Sequence, residues 1–497
     1  MNFKYTLYFT GKIMRTVALM YIVPAITALF YAEYSNLIAF LPIGAGMLAL
    51  GLLLSIKEPK NKRLTAVEGF VIVALSWLAI SIIVAVSFYI TGEIGSFIDC
   101  MFEAVSGFTT TGASIIGNVE GLSYSTNALR IFTHWVGGMG ILVLVLAIIP
   151  KNIDATTINV FRAEVPGHQV DKFTGKLALT ARILYLIYTA LTIVLAIAFI
   201  IAKMPVYDSF MHAMSIAGTG GFSVKNASLQ AYNSVAIDVV ATVGMFVFGT
   251  NMTLFYLAIT GKLLAVLKSE ELRAYAIIAL VAMFSMAGCL TANGTYENFG
   301  VALRYTSFQT TAIMSTTGMY NANFSLWSMF PQAIIVVLMF IGGCSGSTAG
   351  GIKVSRFIIA GKYIGNQISR SARPNRIKTI RLEGERLEEG TIVGVMSYFG
   401  LYLAVVMVSF VLLCLMNDVF NGSHTMIEMF TSSVTGMSNV GPALGSLTVG
   451  TYASYDPVSK LILCFDMLAG RLEILPMLFL FNPAIWVAPR RRKNRKI

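Results

Sequence analysis

The sequence predicts an all-α polytopic membrane protein: two N-terminal helices, then four repeats of helix, re-entrant pore loop and helix in a pseudo-fourfold arrangement around a central pore. Three observations predict this. Of the 497 residues, 56% are hydrophobic and 12% charged, against about 25% charged in soluble domains, and the mean hydropathy is +0.74. Apolar windows long enough to cross a hydrocarbon core of roughly 30 Å recur from end to end. Four shorter stretches between those windows end in a shared Thr/Gly pattern. The first observation excludes a soluble globular chain. The second excludes a β-barrel, because runs such as Ile141 to Ile149 and Leu184 to Ile201 are apolar on all sides instead of alternating.

The apolar windows place spans near 13–32, 35–56, 65–91, 127–149, 181–202, 234–264, 274–291, 325–362 (interrupted), 391–416 and 458–488. Met1 to Thr16 has no short apolar run ending in a small-residue cleavage site, so the first helix is expected to stay. The net charge of +12 reads as topology, and no nucleic-acid partner is expected. With the N-terminus inside, the basic residues crowd the inner loops: Lys57, Lys60, Lys62 and Arg63; Lys151 and Arg162; Lys262 and Lys268; Arg370 to Arg386; and the tail Arg490 to Lys496. Arg130, Lys203, Lys225, Arg304 and Lys460 fall outside. The positive-inside rule therefore puts both termini in the cytoplasm.

Segments 96–114, 206–223, 297–320 and 422–445 are too apolar for solvated loops and too short to cross. They read as re-entrant from the outside, which requires a shared aqueous cavity to satisfy their backbone. They end in Thr109-Thr110-Thr111-Gly112, Gly218-Thr219-Gly220-Gly221, Ser315-Thr316-Thr317-Gly318 and Ser438-Asn439-Val440-Gly441. The final glycines recur at roughly a hundred residues, an internal repeat. This divides the chain into 1–64 (two N-terminal helices), 65–176, 177–268, 269–386 and 387–497, the last carrying the basic tail. Asp99, Asp208 and Glu428 each lie thirteen residues before their glycine, where an acid would complement the dipole of a short pore helix; repeat three has Tyr305 there.

A monovalent cation crosses only if something replaces its hydration shell, and rings of backbone carbonyls from four Thr/Gly-rich loops do so in potassium channels. Glycine supplies backbone angles closed to other residues and keeps side chains out of the ion path. The candidate filter is Thr110, Thr111 and Gly112; Thr219, Gly220 and Gly221; Thr316, Thr317 and Gly318; and Asn439, Val440 and Gly441. Its backbone carbonyls are the expected metal site, for potassium.

Over almost its whole length the sequence resembles the Trk/Ktr/HKT superfamily of cation transporters, and most closely its Trk-type potassium-uptake branch. The resemblance rests on SGFTTTGAS (106–114), HAMSIAGTGGFS (212–223), AIMSTTG (312–318), GGCSGSTAGGIK (342–353), SNVGPALG (438–445) and AGRLEILP (469–476). It implies potassium uptake through the bacterial inner (plasma) membrane by a channel-like or symport route, with rubidium passing similarly. In plant relatives that pass sodium the first filter glycine is serine; here all four are glycine, which favours potassium. It also implies a homodimer and a cytosolic TrkA-like regulatory ring. That ring, not this chain, would bind the nucleotide, NAD or ATP/ADP.

The apolar run Ala333 to Ile341 meets Gly342, Gly343, Gly346, Gly350 and Gly351, and each interior Gly costs a helix about 1 kcal/mol relative to Ala, so the helix is expected to break. Gly346xxxGly350 also fits a small-residue helix-packing motif. The resemblance implies an intramembrane loop under the filter that gates conduction. Arg471 sits inside the last span, flanked by Asp466 and Glu473, and needs a partner or a wet cavity. A salt bridge to either acid is one reading; the resemblance implies a positive barrier in the pore.

Neither an HExxH motif nor a Walker A motif occurs, so the chain does not read as an enzyme. The cysteines, Cys100, Cys289, Cys344, Cys414 and Cys464, read as packing residues, and no covalent cofactor is expected. The basic inner surface would also suit anionic membrane lipid. The rival class is a sodium- or proton-coupled secondary transporter with broken helices at the midplane, which inverted repeats would favour. The repeats here run parallel.

Overall fold

The computed structural model describes residues 3–59, 66–141, 177–372 and 379–483. Lys60, Lys62, Arg63, Lys151, Arg162, Arg373, Arg376, Lys378 and the basic tail from Arg490 lie outside the described residues, as does 142–149 of the fourth expected span.

Helix α1 (Phe3–Val17) runs through a 3-10 turn (Ala18–Tyr21) into α2 (Ile22–Phe30), and α3 (Tyr34–Ser55) packs back on α1. The contact is glycine-made: a Cβ on Gly51 would stand 2.7 Å from the Arg15 amide nitrogen, and one on Gly11 2.6 Å from Leu54 Cβ. The first helix begins well before the expected position 13. Lys4 and Lys12 break the apolar window there, yet Tyr5, Tyr8 and Phe9 are buried and carry the helix outward.

Four units then follow one plan. The first has α4 (Ala66–Thr91), the short pore helix α5 (Phe97–Phe108) and α6 (Tyr124–Gly138). The second has α7 (Leu177–Ile201), pore helix α8 (Val206–Ala217), α9 (Val235–Phe248) and α10 (Met252–Ile259), then the short α11 (Leu263–Lys268). The third has α12 (Glu270–Ala292), pore helix α13 (Phe299–Met314), α14 (Met329–Phe340) and α15 (Val354–Ala372). The fourth has α16 (Glu389–Val419), pore helix α17 (Met426–Ser438), α18 (Pro457–Arg471) and α19 (Leu475–Leu480). The chain is thus a helical polytopic membrane protein. Among the described residues six helices are long and apolar enough to cross a membrane alone. Their outer faces carry exposed apolar side chains such as Leu186 and Val408, whereas Phe108, Ile216, Ile313 and Val434 of the pore helices are fully buried.

Two expected continuous spans are broken. The 234–264 window bends by 94° between α9 and α10, and the 458–488 window breaks after Arg471, where Glu473 and Ile474 take φ of +59° and +67°. Apolar composition continues across both breaks, so hydropathy reads through them. The helix after α5 also ends early, at Gly138, with Gly140 left-handed. In the first and fourth units the last turn lies hard against a pore-helix end: a Cβ on Gly137 would stand 1.9 Å from the Phe108 carbonyl oxygen, and one on Gly470 2.0 Å from that of Met437.

Asp99, Asp208 and Glu428 fall in the first turn of their pore helices, as the dipole argument requires. Glu428 completes a capping box with Thr425. Pore helix α13 begins earlier, at Phe299, under an Asn298 cap, which leaves Tyr305 in mid-helix and explains the missing acid. All five cysteines are free, and Cys100, Cys344 and Cys464 are buried.

The Gly-rich run breaks the 325–362 span as expected. Residues 341–353 form a loop whose ends meet through the backbone, the Gly342 amide donating to the Ile352 carbonyl at 2.9 Å, and one carboxylate ties the loop to the helix after it: Glu271, near the start of α12, accepts from the Ser345 amide at 2.7 Å and from the Ser355 amide, in the first turn of α15, at 3.0 Å through the same oxygen. Because 341–353 is not helical, Gly346 and Gly350 do not form a helix-packing face. A small hairpin, β1 (Arg381–Leu382) with β2 (Glu385–Arg386), turns on left-handed Glu383 and Gly384. Its tip reaches the same place, Glu383 accepting from Ser269 Oγ at 2.8 Å and from the Glu271 amide at 3.1 Å.

Hydrogen bonds to charged acceptors contribute about 1.5–3 kcal/mol each. In Glu271→Ala, amide hydrogen exchange at Ser345 and Ser355 should therefore accelerate about tenfold or more while the helices stay protected. Unchanged exchange at both amides would show that other contacts hold the loop and the start of α15 there.

Candidate ion-conduction site

Each pore helix ends in the same way. Thr110, Thr219, Thr316 and Asn439 have φ of +55°, +54°, +57° and +56°, and the glycines two residues on, Gly112, Gly221, Gly318 and Gly441, have φ of +77°, +90°, +68° and +103°. In units one, two and four the left-handed residue is the C′ position of a Schellman motif: the next amide (Thr111, Gly220, Val440) donates back to the carbonyls of Ser106, Ser215 and Thr435. In unit three Gly318 donates to Ala312 instead. Threonine is β-branched and resists this conformation, at about 1–3 kcal/mol per residue. Three strained threonines at one register mark a site held against local preference.

The four strands close a ring. A Cβ on Gly112 would stand 2.0 Å from the Gly220 carbonyl oxygen; on Gly221, 2.0 Å from that of Thr317; on Gly318, 1.9 Å from that of Val440; and on Gly441, 2.4 Å from that of Thr111. Unit one thus abuts two, two abuts three, three abuts four and four returns to one, always through the carbonyl one residue before the glycine. Side chains are turned away: Thr111 Oγ1 bonds Thr109 Oγ1 at 2.8 Å, and Thr317 Oγ1 bonds Ser315 Oγ at 2.7 Å. Asn439, the departure from threonine, donates to Thr111 Oγ1 at 3.0 Å and to the Met467 carbonyl at 2.8 Å, tying unit four to unit one.

Behind the ring is a layer that the spacing of the acids did not reveal. Glu103, His212, Gln309 and Ser432 stand nine residues before the four glycines, and all are fully buried. Glu103 accepts from the Ile115 amide at 3.0 Å, His212 Nε2 lies 3.0 Å from Ser223 Oγ, and Gln309 Nε2 donates to Asn321 Oδ1 at 3.3 Å, so each holds the strand leaving its own glycine. Ser432 bonds Tyr455 instead, at 2.8 Å. A polar residue at one register in four apolar helices was the available signal. His134 adds a link between units, with Nδ1 2.6 Å from the Gly107 carbonyl and Nε2 accepting from the Phe222 amide at 3.2 Å.

The loop 341–353 lies against the pore-helix side of this ring. The Gly350 amide donates to Thr316 Oγ1 at 2.7 Å, and a Cβ on Gly350 would stand 2.5 Å from the Ser438 carbonyl oxygen. Gly342 and Gly343 are equally close-packed, against the Gly350 and Gly249 carbonyls at 2.1 and 2.7 Å from a built Cβ, while Gly346 and Gly351 are left-handed. Arg471 donates to the Thr348 carbonyl of the loop at 2.8 Å and to the Gly137 and Gly138 carbonyls at 2.6 and 2.5 Å. Its guanidinium therefore joins unit three to unit one. The flanking acids turn elsewhere: Glu473 pairs with Arg356 at 2.7 Å, and Asp466 accepts from Ser409 at 2.6 Å. Reading Arg471 as the salt-bridge partner of either acid does not match this geometry.

Residues 39–278 and 295–486 match the TrkH family, described as cation transport proteins. The chain is 32% identical to the Trk system potassium uptake protein TrkH of Salmonella typhimurium over 469 residues, 94% of this chain and 95% of that protein. It is 28% identical to the Trk system potassium uptake protein TrkG of Escherichia coli over 96% of this chain and 97% of that one. The crystal structure of the potassium transporter TrkH from Vibrio parahaemolyticus superposes with a TM-score of 0.86 at 28% identity, covering 98% of this chain and 100% of that one. A four-unit helical membrane protein with this ring, and with a family match over most of its length, is a member of the TrkH family of cation transport proteins.

Proposed function

We propose that this chain takes up potassium, and rubidium with it, across the bacterial inner (plasma) membrane through a selectivity filter at the carbonyl ring. The observation that carries this reading is the cyclic closure of the Thr111, Gly220, Thr317 and Val440 carbonyls on the four glycines, with no side chain between. Such a ring replaces water around a monovalent cation without a fixed charge. The names of the relatives, potassium uptake proteins, support potassium as the ion. The units are 65–176, 177–268, 269–386 and 387–497 after two helices in 1–64, with both termini in the cytoplasm. The loop carrying Gly342, Gly343, Gly346, Gly350 and Gly351 gates the path from the inner side, and Arg471 is a positive barrier beside it. Opening is controlled by a cytosolic TrkA-like ring that holds the nucleotide, and the assembly is a homodimer.

Gly112→Ser tests the filter. A side chain there meets the Gly220 carbonyl in a backbone that disfavours it, so the rubidium-to-sodium uptake ratio should fall by about tenfold, the equivalent of about 1.4 kcal/mol. An unchanged ratio in a folded variant would remove Gly112 from the filter. Arg471→Ala tests the barrier: removing a cation from a narrow, low-dielectric path lowers the Coulomb penalty for a passing ion. Rubidium flux per folded protein should rise several-fold at the same driving force. Lower thermal stability without higher flux would make Arg471 a structural tie alone.

A further inference from the structure

We infer that Arg130 is a positioning residue for cation selectivity, its guanidinium clamping the filter strands of units one and two to each other. The inference rests on the proposed filter. Arg130 lies on α6 and is 1% exposed. Its Nε pairs with Glu103, which is itself fully buried in pore helix α5. Nη2 donates to Ser114 Oγ at 3.1 Å and Nη1 to the Ser223 carbonyl at 3.1 Å. Ser114 and Ser223 are both two residues past their glycines, Gly112 and Gly221, so one planar cation grips the same level of two adjacent strands. The guanidinium also lies 3.6 Å from the ring centroid of Phe222, the residue after Gly221.

Glu103 completes the clamp on its own strand, accepting from Ser114 Oγ and the Ile115 amide, each at 3.0 Å. Neutral groups tie unit four to units one and three. Tyr452 donates its amide to the Ser114 carbonyl at 2.9 Å and its hydroxyl to the Gly441 carbonyl at 2.9 Å, and Ser325 Oγ accepts from the Gly445 amide at 2.8 Å. A buried ion pair is costly to desolvate and gives little net stability, so its use at this junction points to geometry. The fork of Arg reaches both strands at fixed angles; a Lys ammonium keeps the charge and loses that span.

The experiment uses the full chain in liposomes, measuring rubidium and sodium uptake per folded protein in Arg130→Lys, in the charge-neutral pair Glu103→Gln with Arg130→Gln, in Ser114→Ala and in Gly112→Ser. The expected result is a fall in the rubidium-to-sodium ratio of about tenfold in Arg130→Lys and in the charge-neutral pair, with a smaller fall in the same direction in Ser114→Ala. If the two Arg130 variants do not fold, the ratio in Ser114→Ala decides, a fall supporting the clamp and an unchanged ratio overturning it. Equal loss of both ions in folded Arg130 variants would overturn the inference and leave a structural residue. Selectivity lost in Gly112→Ser and kept in the Arg130 and Ser114 variants would overturn the clamp and leave the filter standing. Selectivity kept in every variant would overturn both.

Discussion

A carbonyl oxygen can lie against a neighbouring strand as those of Gly220, Thr317, Val440 and Thr111 do only where the facing residue has no Cβ, and four such approaches must close on one another within a single chain. That steric constraint organises the molecule. It demands glycine at positions 112, 221, 318 and 441, and it demands that each pore helix stop abruptly so that its strand can turn back toward the ring. The left-handed residue two positions earlier makes that stop, and it does so with threonine in three units, where glycine would cost less. The strain is held by the Schellman bonds of units one, two and four and by the buried polar layer behind the strands.

The same compactness couples the ring to the hairpin. Thr316 receives the Gly350 amide, so a strained ring residue and the intramembrane loop share one hydrogen bond. Glu271 holds the loop at Ser345 and the start of α15 at Ser355, its own backbone is held in turn by Glu383 of the hairpin, and the loop's Thr348 carbonyl is held by Arg471. Motion of α15 or of the hairpin has a direct route to the proposed gate through these contacts, without passing through the outer spans.

Much of this was legible in the sequence because it is written in composition and register. The spans announced themselves by hydropathy, the four units by Gly-ended motifs, and the interrupted span by its glycines. Hydropathy could not separate α9 from α10 or α18 from α19, because Met252–Ile259 and Leu475–Leu480 remain apolar after the turn. The layer of Glu103, His212, Gln309 and Ser432 carries no sequence motif, because its members share polarity and not residue type. Arg130, counted as an outer charge, proved to be buried, since nothing in a linear sequence says that Glu103 and Ser223 will stand beside it. The three backbone carbonyls that Arg471 reaches, at Thr348, Gly137 and Gly138, were equally illegible, because a carbonyl has no residue-type signature.

The most direct test of the central claim is anomalous scattering from crystals of the full chain grown in rubidium. If the ring is the filter, a rubidium peak lies on its axis, bounded by the carbonyl oxygens of Thr111, Gly220, Thr317 and Val440. A ring without a peak, with rubidium instead beside carboxylates such as Asp99 or Glu428, would contradict the account, because the ion would then be bound by charge and not by the carbonyls that the four glycines bring together.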